Sequence, residues 1–109
     1  MKVCVIQPPY STDYTQIDAY FEKELSLLAE CDESMDIIVM PEASDLPCLA
    51  GSKENHEAAV ARFHAPLMQA AAETARRCNA ILFVSGYSEQ LAHFFNTFRV
   101  RFSFSEFPF

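Results

Sequence analysis

The 109-residue chain has no tryptophan and only two glycines, Gly51 and Gly86. So few glycines leave no Gly-rich phosphate loop, which weakens any reading as a small nucleotide-binding domain. No run approaches the roughly 18 apolar residues of a membrane span. Basic residues are scarce as well: 8 Lys and Arg against 15 Asp and Glu give a formal charge of −7. With no basic stripe to neutralise phosphates, the chain does not suit nucleic acid as a partner. An anionic membrane surface is disfavoured for the same reason, and the acidic balance reads as solubility. The four cysteines, Cys4, Cys31, Cys48 and Cys78, form no C-x-x-C pair, and none stands at zinc-ligand spacing to a histidine. The first seven residues carry one lysine and a short apolar run that stops at Pro8 and Pro9. A signal peptide needs about 7–15 apolar residues and a small-residue cleavage site. The expectation is a cytoplasmic protein with reduced thiols.

What is present suits one domain. Half of the residues are apolar, enough for a core and too many for a disordered chain. Lys2-Val3-Cys4-Val5-Ile6-Gln7 is a β-branched apolar run that predicts a strand buried on both faces. Residues 14–30 predict a helix, with Ile17, Tyr20, Phe21, Leu25 and Leu28 on one stripe and residues 15–18 as its cap. An acidic stretch, residues 30–36, turns the chain into a second strand, Asp36-Ile37-Ile38-Val39-Met40-Pro41-Glu42, which Pro41 ends. Residues 43–53 read as a loop and 54–63 as a short helix. Pro66 then opens a separate helix, where its missing N–H does no harm. Leu67, Ala71, Thr74 and Cys78 form its stripe, Arg76 and Arg77 suit its last turn, and Asn79 its left-handed cap. Residues 80–86 are a third buried strand and residues 94–104 a fourth. Strand, helix, strand, helix, strand is the order of an α/β sheet whose first strands are parallel. Two helices are too few to cover both faces of such a sheet, so marginal stability is expected.

Glu42 is the first candidate for chemistry. It follows an apolar strand at its carboxyl end, where open α/β sheets put their ligands. A carboxylate beside low-dielectric strand ends can be tuned to act as a base. The plain reading is a strand-terminal glutamate in water. The run Val3-Cys4-Val5-Ile6-Gln7, the long helix after it and Asp36-Ile37-Ile38-Val39-Met40-Pro41-Glu42 resemble the opening of the nitrilase, or carbon–nitrogen hydrolase, family. The likeness continues through the helix opened by Pro66, through Ala80-Ile81-Leu82-Phe83-Val84-Ser85-Gly86-Tyr87, and on to Asn96-Thr97. It covers about the first 97 residues, and the Pro-Glu after a buried strand is its most specific element.

The resemblance implies a four-layer α-β-β-α sandwich, of which this chain is the incomplete N-terminal portion, and an enzyme that is homo-oligomeric at full length. It implies hydrolysis of small-molecule amides, nitriles or carbamoyl compounds by a Glu–Lys–Cys triad, with no metal or organic cofactor. Glu42 would be the general base that activates a cysteine thiol, and a lysine would stabilise the oxyanion. The chain departs from the family here: it has no Lys after Lys53 and no Cys after Cys78, whereas the family's lysine and cysteine lie beyond Asn96-Thr97. Activity of these 109 residues alone is therefore not expected. Lys53, only eleven residues past Glu42, and the thiols of Cys48 and Cys78 read as loop or core residues. Gln7 reads as a partner of backbone groups, His56 and His64 as surface residues, and Tyr87 and Asn96 as structural ones.

The composition changes after Thr97. Seven of the ten phenylalanines fall between Phe94 and the end. Residues 98–109 contain no glycine, where the family has a Gly-containing turn between strands. Residues 98–109 are read as a non-native tail left by a frameshift or premature stop. An alternative is a non-catalytic α/β interaction module that pairs its aromatic, alternating strand with another chain.

Overall fold

The computed structural model describes residues 1–41, 44–48, 52–86, 91–95 and 98–102. Among them, five strands form one sheet in the order β1 (Val3–Val5), β2 (Ile37–Val39), β3 (Ile81–Val84), β4 (Leu91–Phe95) and β5 (Phe98–Phe102). The first three are parallel, with Val3, Ile37 and Ile81 in one row and Val5, Val39 and Phe83 in another. The last two are antiparallel additions. Two helices, α1 (Ile17–Ala29) and α2 (Lys53–Cys78), make the crossovers between the parallel strands. The chain is thus mixed α/β, with a small parallel core and two helices.

Sequential strand order decides where the helices go. Each crossover steps the same way across the sheet, and right-handed crossovers then lie on the same face. Burial agrees. Ile38, Leu82 and Val84 are at most 1% exposed, whereas Val3, Val5 and Ile81 on the opposite face are 53%, 60% and 40% exposed. The strand expected to be buried on both faces is covered on one: Ile6 is buried and the half-buried Cys4 packs against the core, whereas Val3 and Val5 face outward. Its apolar run fits a two-sided environment that the described residues do not complete.

The two helices hold each other through Phe21 and Phe63, whose ring centroids are 4.2 Å apart, and through an ion pair between Arg62 and Asp18. Arg77 donates to the carbonyls of Cys31 (2.5 Å) and Leu28 (3.2 Å), so the last turn of α2 satisfies the orphan carbonyls at the end of α1. A 3-10 turn, Tyr14–Gln16, leads into α1. Its cap is Asp13, which accepts from the amide of Thr15 at 3.0 Å and its hydroxyl at 2.6 Å. Residues 15–18 do not cap α1 as expected, because the turn already consumes the first orphan amides; Gln16 makes no side-chain cap bond.

The break expected at Pro66 is absent. One helix of 26 residues runs through it, opened by Ser52, whose hydroxyl accepts from the amide of Asn55. Ala59, Phe63, Leu67, Ala71 and Ala75 recur at steps of four and are buried along its whole length. Pro66 itself is on the exposed side, where the carbonyl freed four residues earlier meets water. Continuous burial on one side outweighs one lost hydrogen bond on the other. The far end follows expectation: Arg76 and Arg77 lie in the last turn and Asn79 caps it with φ 52° and ψ 45°.

The single strand expected over residues 94–104 is two. Phe95 pairs with Phe98, so the chain reverses within the expected span. Residues 103–109, most of the expected tail, lie outside the described residues.

Candidate active site

The three parallel strands finish at one edge of the sheet. The ladder continues past their formal ends: the amide of Ile6 donates to the Val39 carbonyl at 2.9 Å, and that of Met40 to the Phe83 carbonyl at 3.0 Å. Pro41 follows at once. Glu42, the candidate base, lies with Ala43 outside the described residues, but both flanks are described. On its far side, Ser44 donates its amide to the Ser85 carbonyl at 2.9 Å. The Ser44 hydroxyl donates to the Pro41 carbonyl at 2.5 Å. Pro41 and Ser44 are thus joined by a side-chain bond, and Ser44 is tied to the residue that follows β3.

The next residue deepens the anchor. Asp45 is fully buried. Its Oδ2 lies 2.9 Å from Nδ1 of His64, on α2. The two side chains share a hydrogen bond. Beneath Asp45 lies Gly86, where a Cβ would stand 2.6 Å from Oδ2 and 3.1 Å from Cγ. Only a residue without a side chain lets the carboxylate sit so close to the end of β3.

A second acid lies beside this turn. Glu24, on α1, is 1% exposed. Neither of its oxygens has a hydrogen-bond partner among the described residues; the adjacent Ser44 hydroxyl donates to the Pro41 carbonyl. Burial pushes its pKa up to about 8; the nearby Ser44 hydroxyl draws it partly back, and the negative charge of Asp45 adds to the rise. Glu24 is therefore a neutral acid at pH 7, the form that burial favours. Two carboxyls placed together, one of them held neutral by burial, are a common acid–base arrangement.

Three residues of this cluster were not singled out in the sequence, and His64 was read as a surface residue. His64 is instead three-quarters buried at its side chain and bound to Asp45, because α2 runs unbroken and carries it over the turn. Glu24 had a legible signal. Ile17, Phe21, Glu24 and Leu28 are spaced four, three and four apart, so the glutamate interrupts an otherwise apolar stripe. Ser44 and Asp45 had none beyond their nearness to Glu42.

The other candidates sit elsewhere. Lys53 is at the start of α2, 79% exposed at its side chain and 3.7 Å from Glu57. Cys48 is fully buried and pairs as an isolated bridge with Ser11. Gln7 lines a cavity of about 330 Å³ between β1 and the end of α1, together with Cys4, Ile6, Leu27, Cys31 and Met35. Burial, with the neighbouring Cys4 thiol, pushes the Cys31 thiol up to about 12, which makes it inert as a nucleophile. His56 is half-buried. Tyr87 and Asn96 lie outside the described residues. Among the described residues, no group of three or more His, Cys, Asp or Glu side chains converges to hold a metal ion, and no helix is long and apolar enough to cross a membrane. The chain matches no protein-family model, no curated protein and no solved structure at a significant level.

Proposed function

We propose that this chain is the N-terminal part of a nitrilase-type carbon–nitrogen hydrolase, with Glu42 as its general base and small amides, nitriles or carbamoyl compounds as its substrates. The observation that carries the reading is the turn behind β2. Pro41 and Ser44 flank Glu42 at the carboxyl end of a parallel sheet, bonded to each other and to the end of β3. A base must be held within hydrogen-bond reach of the proton it takes, and a turn fastened on both sides suits that task.

In this reading Glu42 takes the proton of a cysteine thiol, the thiolate attacks the amide or nitrile carbon, and a lysine steadies the oxyanion. Water then releases the acid. In the family both partners belong to a segment beyond the position of residue 97; these 109 residues hold no lysine after Lys53 and no cysteine after Cys78. The same segment supplies a second sheet on the open face of β1, β2 and β3, making the α-β-β-α sandwich; Val3, Val5 and Ile81 are the apolar surface it would cover. The complete protein is a cytoplasmic homo-oligomer. The open face also favours a second reading, a non-catalytic α/β module that buries those residues against another chain.

Sequencing the encoding DNA past the Thr97 codon and translating the three forward frames separates the two. A frame that gives a strand, a turn, a strand, then a lysine and later a cysteine supports the hydrolase. Three frames without them leave the module as the better account.

A further inference from the structure

We propose that Asp45 is the positioning residue of the candidate site: seated on Gly86 and gripped by His64, it fixes the backbone on both sides of Glu42. The inference rests on Glu42 being the base and names what holds it.

Three observations converge on Asp45. It is fully buried, and its Oδ2 meets the Nδ1 of a histidine from a different element, 19 residues away, at 2.9 Å. Its carboxylate occupies space that any side chain at residue 86 would take. Its neighbour Ser44 makes the two bonds that bracket Glu42, one to Pro41 and one to Ser85, the residue just before Gly86. Asp45 thus presses the turn onto the same end of β3 that Ser44 is bonded to, and His64 holds it there from the helix side.

Stability alone does not call for this device. A buried ion pair is often no more stabilising than apolar residues of the same volume, and an uncompensated charge is costly. Leucine or valine would close a loop over a sheet at less expense. What the polar pair adds is direction: a hydrogen bond between Asp45 and His64 admits one placement of the turn, whereas apolar packing admits several.

Amide exchange of Ser44, followed by NMR on the 109-residue chain, tests the clamp. Asp45→Leu removes the acceptor; it should speed Ser44 exchange at least about tenfold while leaving the amides of α1 near their original rates. Asp45→Asn keeps the shape and one acceptor for Nδ1–H, and should restore most of the protection. Where Asp45→Leu does not fold, His64→Leu at its partly exposed site carries the same expectation. Unchanged Ser44 exchange in the leucine variants overturns the proposal, whatever Glu42 does. In the protein extended through its lysine and cysteine, Asp45→Leu should lower kcat with little change in KM, and Asp45→Asn should recover it. An unchanged kcat, where Glu42→Gln abolishes turnover, reduces Asp45 to a structural role and overturns the proposal. Hydrolysis that survives Glu42→Gln removes the base and the positioning role with it. That failure is distinguishable, because Ser44 exchange still responds to Asp45.

Discussion

The two faces of the parallel sheet are made from the same kinds of residue and meet opposite environments. On one, Ile38, Leu82 and Val84 lie under α1 and α2 and are almost wholly buried. On the other, Val3, Val5 and Ile81 are between 40% and 60% exposed. Composition does not separate them, since both are β-branched or aliphatic and would suit a core. Topology does. Two right-handed crossovers stepping the same way put every helix on one side. The difference teaches that these strands carry a two-sided pattern while their own crossovers cover one side only. Among the described residues, a sheet of that kind keeps one apolar face without cover.

The largest test of the contrast lies on the covered face. Leu82→Ala should cost about 2–5 kcal/mol, the usual loss for a buried leucine, read from denaturant unfolding of the chain. A loss below about 1 kcal/mol would mean that the covered face is not a packed core.

The next test sharpens the polar part of that face. Between pH 4.5, the ordinary value for a glutamate, and about 8, the unfolded chain has lost the Glu24 proton and the folded chain keeps it. The contribution of this group is therefore fully present below pH 4.5. It declines by about 1.4 kcal/mol per pH unit as the pH rises to 8, and is flat beyond. Glu24→Gln should remove that slope and leave a chain more stable than the parent at pH 8. Equal slopes in the two proteins would show that Glu24 is not held neutral.

The smallest effect belongs to the open face. Val5→Thr and Ile81→Thr should each change the stability of the 109-residue chain by less than about 0.5 kcal/mol, as exposed substitutions do, while lowering its tendency to self-associate. A cost comparable to that of Leu82→Ala would mean that something already covers this face in solution.

Much of this was legible before any coordinates. The three parallel strands, the first crossover helix, the far half of the second, the left-handed cap at Asn79 and the want of cover for one face follow from short apolar runs, 3.6-residue stripes and a count of helices. Pro66 misled because the rule about proline concerns the hydrogen bond it breaks, and at an exposed position the burial of Phe63 and Leu67 on the other side outweighs that bond. β4 and β5 read as one strand because no glycine or proline stands between Phe95 and Phe98. The candidate site was half visible. Pro41-Glu42 announces itself as a carboxylate at a strand end. The pairing of Asp45 with His64 joins two loci brought together only by the fold, and no local pattern points from one to the other. Glu24 was overlooked because a glutamate on a helix is ordinarily assumed to face water, although its spacing from Phe21 and Leu28 places it on the buried stripe.

The measurement that bears most directly on the central claim is the rate of amide or nitrile hydrolysis by the protein extended through its lysine and cysteine, compared with its Glu42→Gln variant. If Glu42 is the general base, the substitution should lower kcat at least about a hundredfold, with an unchanged unfolding midpoint. A variant that folds equally well and turns over at the parent rate would contradict the account.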